Sequence, residues 1–395
     1  MPAATDQPLS VAFVIPYFYP ARHYGGTPQS AYEVARALVK RGHRVKVLTT
    51  DSAGDARLPA GRRNIEGIDV VYYPNLSNRL AFRRRIFWPA AMFREMTQEL
   101  AGSDILHIHE LRSMLSVKAH KIAVTMNLPY VLSGHGGLRR LGKAGFKAVF
   151  DAFWGSRILR DAAAVIAVSP AEEPDAIAMK VNPQQVRILP NMISAADYQV
   201  LPQKGRFRDQ WRFGSRKTIL FLGRLHWIKG ADVLIRAFER IHKTDSEVRL
   251  AIAGSDDGQK AELQGLVLKL GMNHCVTFTG FLDHERKLEA LVDADLLVVP
   301  SRSEVFAINV LEALMCACPV LLSDACGLYP MPQREHGVRL FKNGDSSQLA
   351  DNICEALGDH ALPNAAQKGR EFVKLEFNED KITILAESIY RAVIR

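Results

Sequence analysis

The chain has few cysteines and never pairs them. Its five, at positions 275, 316, 318, 326 and 354, form no Cys-x-x-Cys motif, and four lie in or beside apolar runs. They read as buried, reduced thiols rather than disulfides or metal ligands. No stretch of about eighteen uncharged apolar residues occurs, so no membrane-spanning helix is expected. The first twenty residues lack a charged start followed by a long apolar run, and Pro16 and Pro20 interrupt them. A secretory leader is therefore not expected, and the cytoplasm is the expected compartment. Gly-x-Gly-x-x-Gly is missing after the first apolar run, which argues against a dinucleotide-dependent oxidoreductase. Zinc-finger spacing, an RNA-binding aromatic signature, internal repeats and low-complexity tracts are also missing, and no nucleic-acid partner is expected.

What is present is ordinary globular material in sufficient length for two cores. The 395 residues are 48% hydrophobic and 24% charged, too apolar for a disordered chain and long enough for two domains. The formal charge of +9 is uneven: residues 1–200 carry 25 Lys+Arg against 16 Asp+Glu, and the remainder carries 26 of each. Much of the excess lies in Asn78 to Trp88 (NRLAFRRRIFW) and Leu138 to Phe150 (LRRLGKAGFKAVF), where cations alternate with Phe, Trp, Leu and Val. That pattern suits an anionic membrane surface, each cation contributing about 1 kcal/mol there. A solvated basic face is the alternative.

Short β-branched runs separated by segments of helical spacing predict an α/β fold with parallel sheets. The expected strands begin at 11, 45, 70, 105, 130, 164 and 186 in the first half, and at 218, 248, 276, 296, 320 and 338 in the second. A polar stretch, Ala195 to Arg212, separates the two series. The expected domains are residues 1–200 and 214–377. The final segment carries Ile382, Leu385, Ile389, Val393 and Ile394 on one helical face that needs a surface to cover it. In tandem βαβ domains, ligands bind at the carboxyl ends of the strands, so the strand-to-helix loops should carry function.

Three such loops carry the relevant residue types. Gly25 and Gly26 precede a helix with Ala31, Val34, Ala35 and Leu38 on one face, which lets backbone N–H groups approach an anion; a plain tight turn explains them equally well. Arg224 and Lys229 lie five residues apart at a strand exit (TILFLGRLHWIKG), where two cations can neutralise one diphosphate. In LLVVPSRSEVFAINV, Glu304 comes from a loop and Glu312 from the first turn of a helix expected near Val310. A carboxylate can accept from both hydroxyls of a ribose, and a helix start offers N–H groups to phosphate. Asp293-Ala294-Asp295 precedes its strand, a position suited to capping rather than to metal. His107 and His109 share one strand face without a completing ligand set, and suit a core role.

In this order GRLHWIKG, VTFTGF, ADLLVVPSRSEVFAINVLEAL and PVLLSD, with YGGTPQSAYEVARALVKRGHRVKVLTT, ILHIHE, SGHGG, VIAVSP and ILPNMI upstream, resemble retaining glycosyltransferase family 4 over nearly the entire chain. The resemblance implies a GT-B architecture: two Rossmann-like domains facing a central cleft, with the last helix (378–395) crossing back to the first domain. It implies that Arg224 and Lys229 bind the donor diphosphate, Glu312 the ribose and Glu304 the transferred sugar. Phe306, Ala307, Ile308 and Asn309 would line the donor, Phe281 and Leu282 would meet the base, Gly25 and Gly26 would approach the phosphate, and His135 would sit beside the reacting carbon. Glu304-Val305-Phe306-Ala307 replaces the family's usual Glu-Gly-Phe-Gly, which crowds the sugar.

The resemblance further implies transfer of a hexose from a nucleotide diphosphate sugar, GDP-mannose slightly ahead of UDP-hexoses, to a lipid-linked or saccharide acceptor in bacterial surface polysaccharide synthesis. The expected setting is the inner face of the cytoplasmic membrane, with no metal and no separate cofactor. The rival readings are a nucleotide-sugar epimerase of the same architecture and a non-catalytic carbohydrate-binding protein.

Overall fold

The alternating apolar and amphipathic segments fold, in a computed structural model, into two parallel sheets flanked by helices; the structure describes residues 7–54, 56–140 and 144–394. Residues 141–143 of the basic segment 138–150 thus lie outside the described residues. The chain divides into two compact units, Met1–Met192 with Glu379–Arg395, and Ile193–Asn378. Residues 193–200, assigned to the first domain from sequence, belong instead to the second unit. Hydrogen bonds tie this segment to the second unit: Ile193 N–H donates to Phe377 O at 3.0 Å, and the Arg370 guanidinium donates to Tyr198 O at 2.8 Å.

In the first unit the strands of the large sheet are β1 (Ser10–Val14), β2 (Arg44–Thr50), β3 (Gly61–Ile65), β4 (Ile68–Tyr73), β5 (Ile105–His109), β6 (Tyr130–Ser133), β7 (Ala164–Ala167) and β8 (Val186–Ile188), and Ser52–Ala53 pairs with Ala56–Arg57 in a small antiparallel ladder. Their order across the sheet is β8-β7-β6-β5-β1-β2-β4-β3, parallel except for the β3/β4 hairpin at the edge. β3, sequence GRRNI, carries no apolar alternation and was invisible to a hydrophobic-pattern reading. A two-residue turn with positive φ at both Glu66 and Gly67 folds it back onto β4, the geometry such hairpins require.

In the second unit the strands are β9 (Lys217–Leu222), β10 (Val248–Ala253), β11 (Val276–Gly280), β12 (Leu296–Val299), β13 (Val320–Ser323) and β14 (Val338–Phe341). Their order is β11-β10-β9-β12-β13-β14, all parallel. The helices that bear on the site are α1 (Gly26–Lys40), α2 (Asn78–Arg84), α3 (Ala144–Phe150), α4 (Arg206–Gln210), α5 (Ala231–Thr244), α6 (His284–Asp293), α7 (Ile308–Met315) and α8 (Glu379–Ile394).

Helix α8 is covered by the first unit's core. Ile382, Ala386, Ile389 and Tyr390 are buried there with Phe13, Ala31, Ala35 and Leu38. Leu385 and Ile394, expected on the same stripe, are exposed; the buried face is rotated toward Ala386 and Tyr390. Its polar rim is tied down by Lys40 with Glu379 and by Arg41 and His43 with Glu387. Among the described residues no helix is long and apolar enough to cross a membrane.

Candidate active site

In both units the strand order reverses once, and each reversal leaves a gap at the carboxyl edge. In the second unit the chain runs outward from β9 through β10 to β11, then returns to place β12 on the other side of β9. Such a switch point is where α/β sheets bind ligands. Arg224 and Lys229 leave β9, and Glu304 leaves β12.

Two glycines make this edge tight. A side chain at Gly230, φ +70, would put its Cβ 2.0 Å from Pro300 O, and one at Gly254 would lie 1.8 Å from Gly223 O. Only a residue without Cβ allows these exits to touch. The loop holding Glu304 is stitched to the next exit, with Glu304 N–H donating to Ala325 O (3.1 Å) and Gly327 N–H to Glu304 O (2.7 Å).

The charged residues at this edge are paired. Lys229 Nζ contacts the Glu304 carboxylate, and Arg224 contacts Asp257 at the exit of β10. Glu312 pairs with Lys287 of α6. Helix α7 starts at Ile308, not near Val310, so Glu312 lies in its second turn and the first turn holds no acid. Complementing the helix dipole therefore does not explain Glu312. No side chain caps the first turn of α7, which leaves its N–H groups without a side-chain acceptor.

Of the residues expected to line the donor, several point elsewhere. Phe306 and Ala307 are buried, the Phe306 ring lying edge-on to Phe377 at 6.0 Å. Asn309 donates to Leu222 O at 2.8 Å, fastening α7 to the end of β9. Ile308 and Asn309 are partly exposed. Phe281 is exposed and Leu282 buried after β11. Asp293 accepts from Gly205, Phe207 and Arg208 N–H at 2.6–3.0 Å and so caps α4, as its position before the strand predicts. Asp257 and Lys287 are functional candidates that the motifs did not single out; each is recognisable only by its partner in space.

The first unit reverses between β1 and β5. Gly25, φ +93, supplies the turn into α1 and leaves its start without a side-chain cap. Three histidines follow from β5 and β6. His107 hydrogen-bonds Tyr390 Oη (2.8 Å) and Ser133 Oγ (2.7 Å), its ring stacks on His109 at 4.0 Å, and His109 Nδ1 meets His135 Nε2 at 2.9 Å.

Burial pushes the His135 pKa down to about 4, and burial and neighbouring imidazoles push His107 and His109 well below the usual range. All three are neutral at pH 7. His109 Nε2 is buried without a hydrogen-bond partner among the described residues. An orphaned N–H is costlier than an under-used acceptor, which puts the His109 proton on Nδ1, donating to His135 Nε2. His135 then carries its own proton on Nδ1 as a hydrogen-bond donor.

The SGHGG loop depends on its glycines and on a residue outside the motif. A Cβ at Gly134 would lie 2.7 Å from Leu138 Cγ, and one at Gly137 would lie 2.8 Å from Gly134 O. Buried Glu172, after β7, accepts from Gly136 N–H (2.6 Å) and Val168 N–H (3.1 Å). That carboxylate was not legible in the motif pattern.

Comparison with known proteins agrees with this construction. Residues 24–197 match the family described as Glycosyltransferase Family 4, and residues 203–371 match Glycosyl transferases group 1. An uncharacterized glycosyltransferase of Methanocaldococcus jannaschii is 28% identical, the match covering 88% of each chain. The phosphatidylinositol N-acetylglucosaminyltransferase gpi3 subunit of Schizosaccharomyces pombe is 26% identical over 87% of this chain and 72% of its own. The structure of Anabaena HepE in complex with UDP and glucose superposes with a TM-score of 0.78 at 18% identity, covering 97% of this chain and all of that one; at that identity the likeness establishes the fold. With both halves matched and both sheets in place, the chain belongs to the family 4 glycosyltransferases, enzymes of the GT-B fold.

Proposed function

We propose that the protein is a retaining hexosyltransferase that takes its sugar from a nucleoside diphosphate carrier. The observation that carries this reading is the charged edge of the second sheet, where Arg224 and Lys229 leave the strand at the switch point and each is held by a carboxylate. A diphosphate arriving there exchanges a carboxylate for phosphate oxygens, and the uncapped start of α7 adds N–H donors. Glu312 takes the ribose, and Glu304, released from Lys229, takes the hexose. Backbone atoms beside Phe281 and Leu282 meet the base. For the first unit, the family resemblance assigns Gly25 and Gly26 to phosphate binding and His135 to the reacting sugar. Catalysis is then chiefly neutralisation of the departing diphosphate and positioning, with that phosphate accepting the acceptor's proton. The UDP and glucose held by HepE weigh toward a UDP-hexose over GDP-mannose.

The acceptor we propose is lipid-linked, presented at the inner face of the bacterial membrane during surface polysaccharide synthesis. The S. pombe relative is named for a phosphatidylinositol acceptor. Support within this chain comes from Leu80 of α2, Ile86, Trp88, Phe146 and Val149 of α3, and Phe153, all exposed, interleaved with cations as an interfacial surface requires. Part of the charge is already neutralised, since Arg139 pairs with Asp175 and Arg140 with Asp151. In the other basic segment, the Arg85 guanidinium lies over the Tyr17 and Tyr24 rings.

Thermal-shift measurements with UDP, GDP and ADP test the donor site, because a ligand that binds only the folded state raises Tm. One nucleoside diphosphate should shift Tm in the wild type. Glu312→Ala should abolish the shift, whereas Glu304→Ala should keep it and lose turnover. A wild type indifferent to all three nucleotides would sink the reading.

A further inference from the structure

Away from the carboxyl edge of the second sheet, three metal-ligating side chains meet at one point. His242 lies in the last turn of α5, and His274 and Cys275 immediately precede β11. Their ligand atoms lie within 4.8 Å of one another, and the two Nε2 atoms face each other at 3.1 Å although the residues are 32 apart in sequence.

We propose that His242, His274 and Cys275 form a binding site for a borderline-soft divalent cation of the zinc type, clipping the end of α5 to the start of β11. Zinc–nitrogen bonds are about 2.0–2.1 Å long, so two nitrogens 3.1 Å apart subtend roughly 100° at the ion, near the tetrahedral angle. With both imidazoles neutral, one donates its Nε2–H to the other's Nε2 lone pair; on binding, the donor ring shifts that proton to its own Nδ1, so that both Nε2 lone pairs face the cation. A thiolate gives the third bond of a set in which nitrogen and sulfur donors select zinc or cobalt over magnesium or calcium.

Binding is written M²⁺ + Cys275–SH + His242/His274 giving the thiolate complex plus one proton released to buffer; no electrons move. Water fills the fourth position, because His274 is exposed. The carboxyl end of α5 adds the favourable end of a helix dipole.

The surroundings also limit the affinity. His242 Nδ1 is buried with no hydrogen-bond partner among the described residues, whereas strong sites support the second ring nitrogen, a contact worth about 10–100-fold in affinity. Arg249 stands near both His242 and Cys275, and Asp245 opposes its charge at His242. The Arg249 guanidinium is turned onto Ser246 O (2.8 Å) and Val248 O (2.9 Å). The site should therefore bind reversibly and strip readily with chelator.

Full-length protein treated with chelator and titrated with Co²⁺ provides the test. One equivalent should bind with a sulfur-to-cobalt charge-transfer band and tetrahedral visible absorption, and zinc should displace it. Cys275→Ser should lose the band. His274→Ala, on an exposed side chain, should weaken binding at least tenfold with an unchanged melting curve of the metal-free protein. Cys354→Ser, which removes the exposed thiol, should leave the band intact. No charge-transfer band in the wild type, a band that disappears with Cys354, or an unchanged titration in His274→Ala would each overturn the proposal.

Discussion

The switch points of the two sheets carry opposite electrostatics. The edge of the second sheet is built of full charges in pairs, Lys229 with Glu304, Arg224 with Asp257 and Glu312 with Lys287. The edge of the first is built of glycine turns and three histidines that burial keeps uncharged. The difference is one of charge: the partly exposed ion pairs of the second edge, with side chains 16–29% accessible, can exchange a carboxylate for a ligand that arrives charged, whereas the histidines of the first edge offer hydrogen bonds without a net charge.

The contrast can be broken most severely at Lys229. Lys229→Met should lower kcat by about 10²–10³, the usual loss when one preorganised stabiliser of developing charge is removed, in initial-rate assays with saturating donor. A loss below tenfold would mean that the charged edge does not work as a unit. Next in size is Gly230→Ala, whose Cβ would meet Pro300 O at 2.0 Å in a left-handed conformation. It should cost about 2–3 kcal/mol of stability by strain and overpacking, read from urea unfolding of the intact chain.

The neutral edge is sharpened by pH. His107, His109 and His135 have folded pKa values below the unfolded value of about 6.5, so below pH 6.5 the unfolded chain binds more protons than the folded one. Stability should be full above pH 6.5 and fall as pH drops toward 4, by up to about 1.4 kcal/mol per pH unit for each histidine. Replacing His107 by Gln should flatten that slope; an equally steep curve would show that other groups dominate it. The smallest effect belongs to Asp257→Asn, which opens a partly exposed pair. It should change stability by less than about 1 kcal/mol while freeing Arg224, so nucleoside diphosphate affinity should hold or rise in calorimetric titration.

Most of the sheet architecture could be read from the chain alone, since thirteen expected strands occur within two residues of their expected starts. Burial on both faces makes such strands continuous apolar runs, which a hydrophobic pattern detects. β3 escaped because an exposed edge strand needs no apolar face. Glu312 was misplaced by a turn because helix starts depend on cap geometry, and Ala307 gives no capping signal. The partners Asp257, Lys287 and Glu172 were illegible for a different reason: their significance is a contact, and nothing in a carboxylate's neighbours in sequence names its neighbour in space.

By itself, then, the order of residues determined two parallel-sheet halves, the strand exits that bear Gly25, Arg224, Lys229 and Glu304, and the family. These depend on local periodicity and on glycine and charge at fixed spacing, which short-range physics reads directly. Tertiary structure alone decided which charge each cation meets, which nitrogen of His135 holds its proton, and that His242 reaches His274 and Cys275 across 32 residues. Those outcomes are set by strand crossing and side-chain packing, which join segments that share no local pattern.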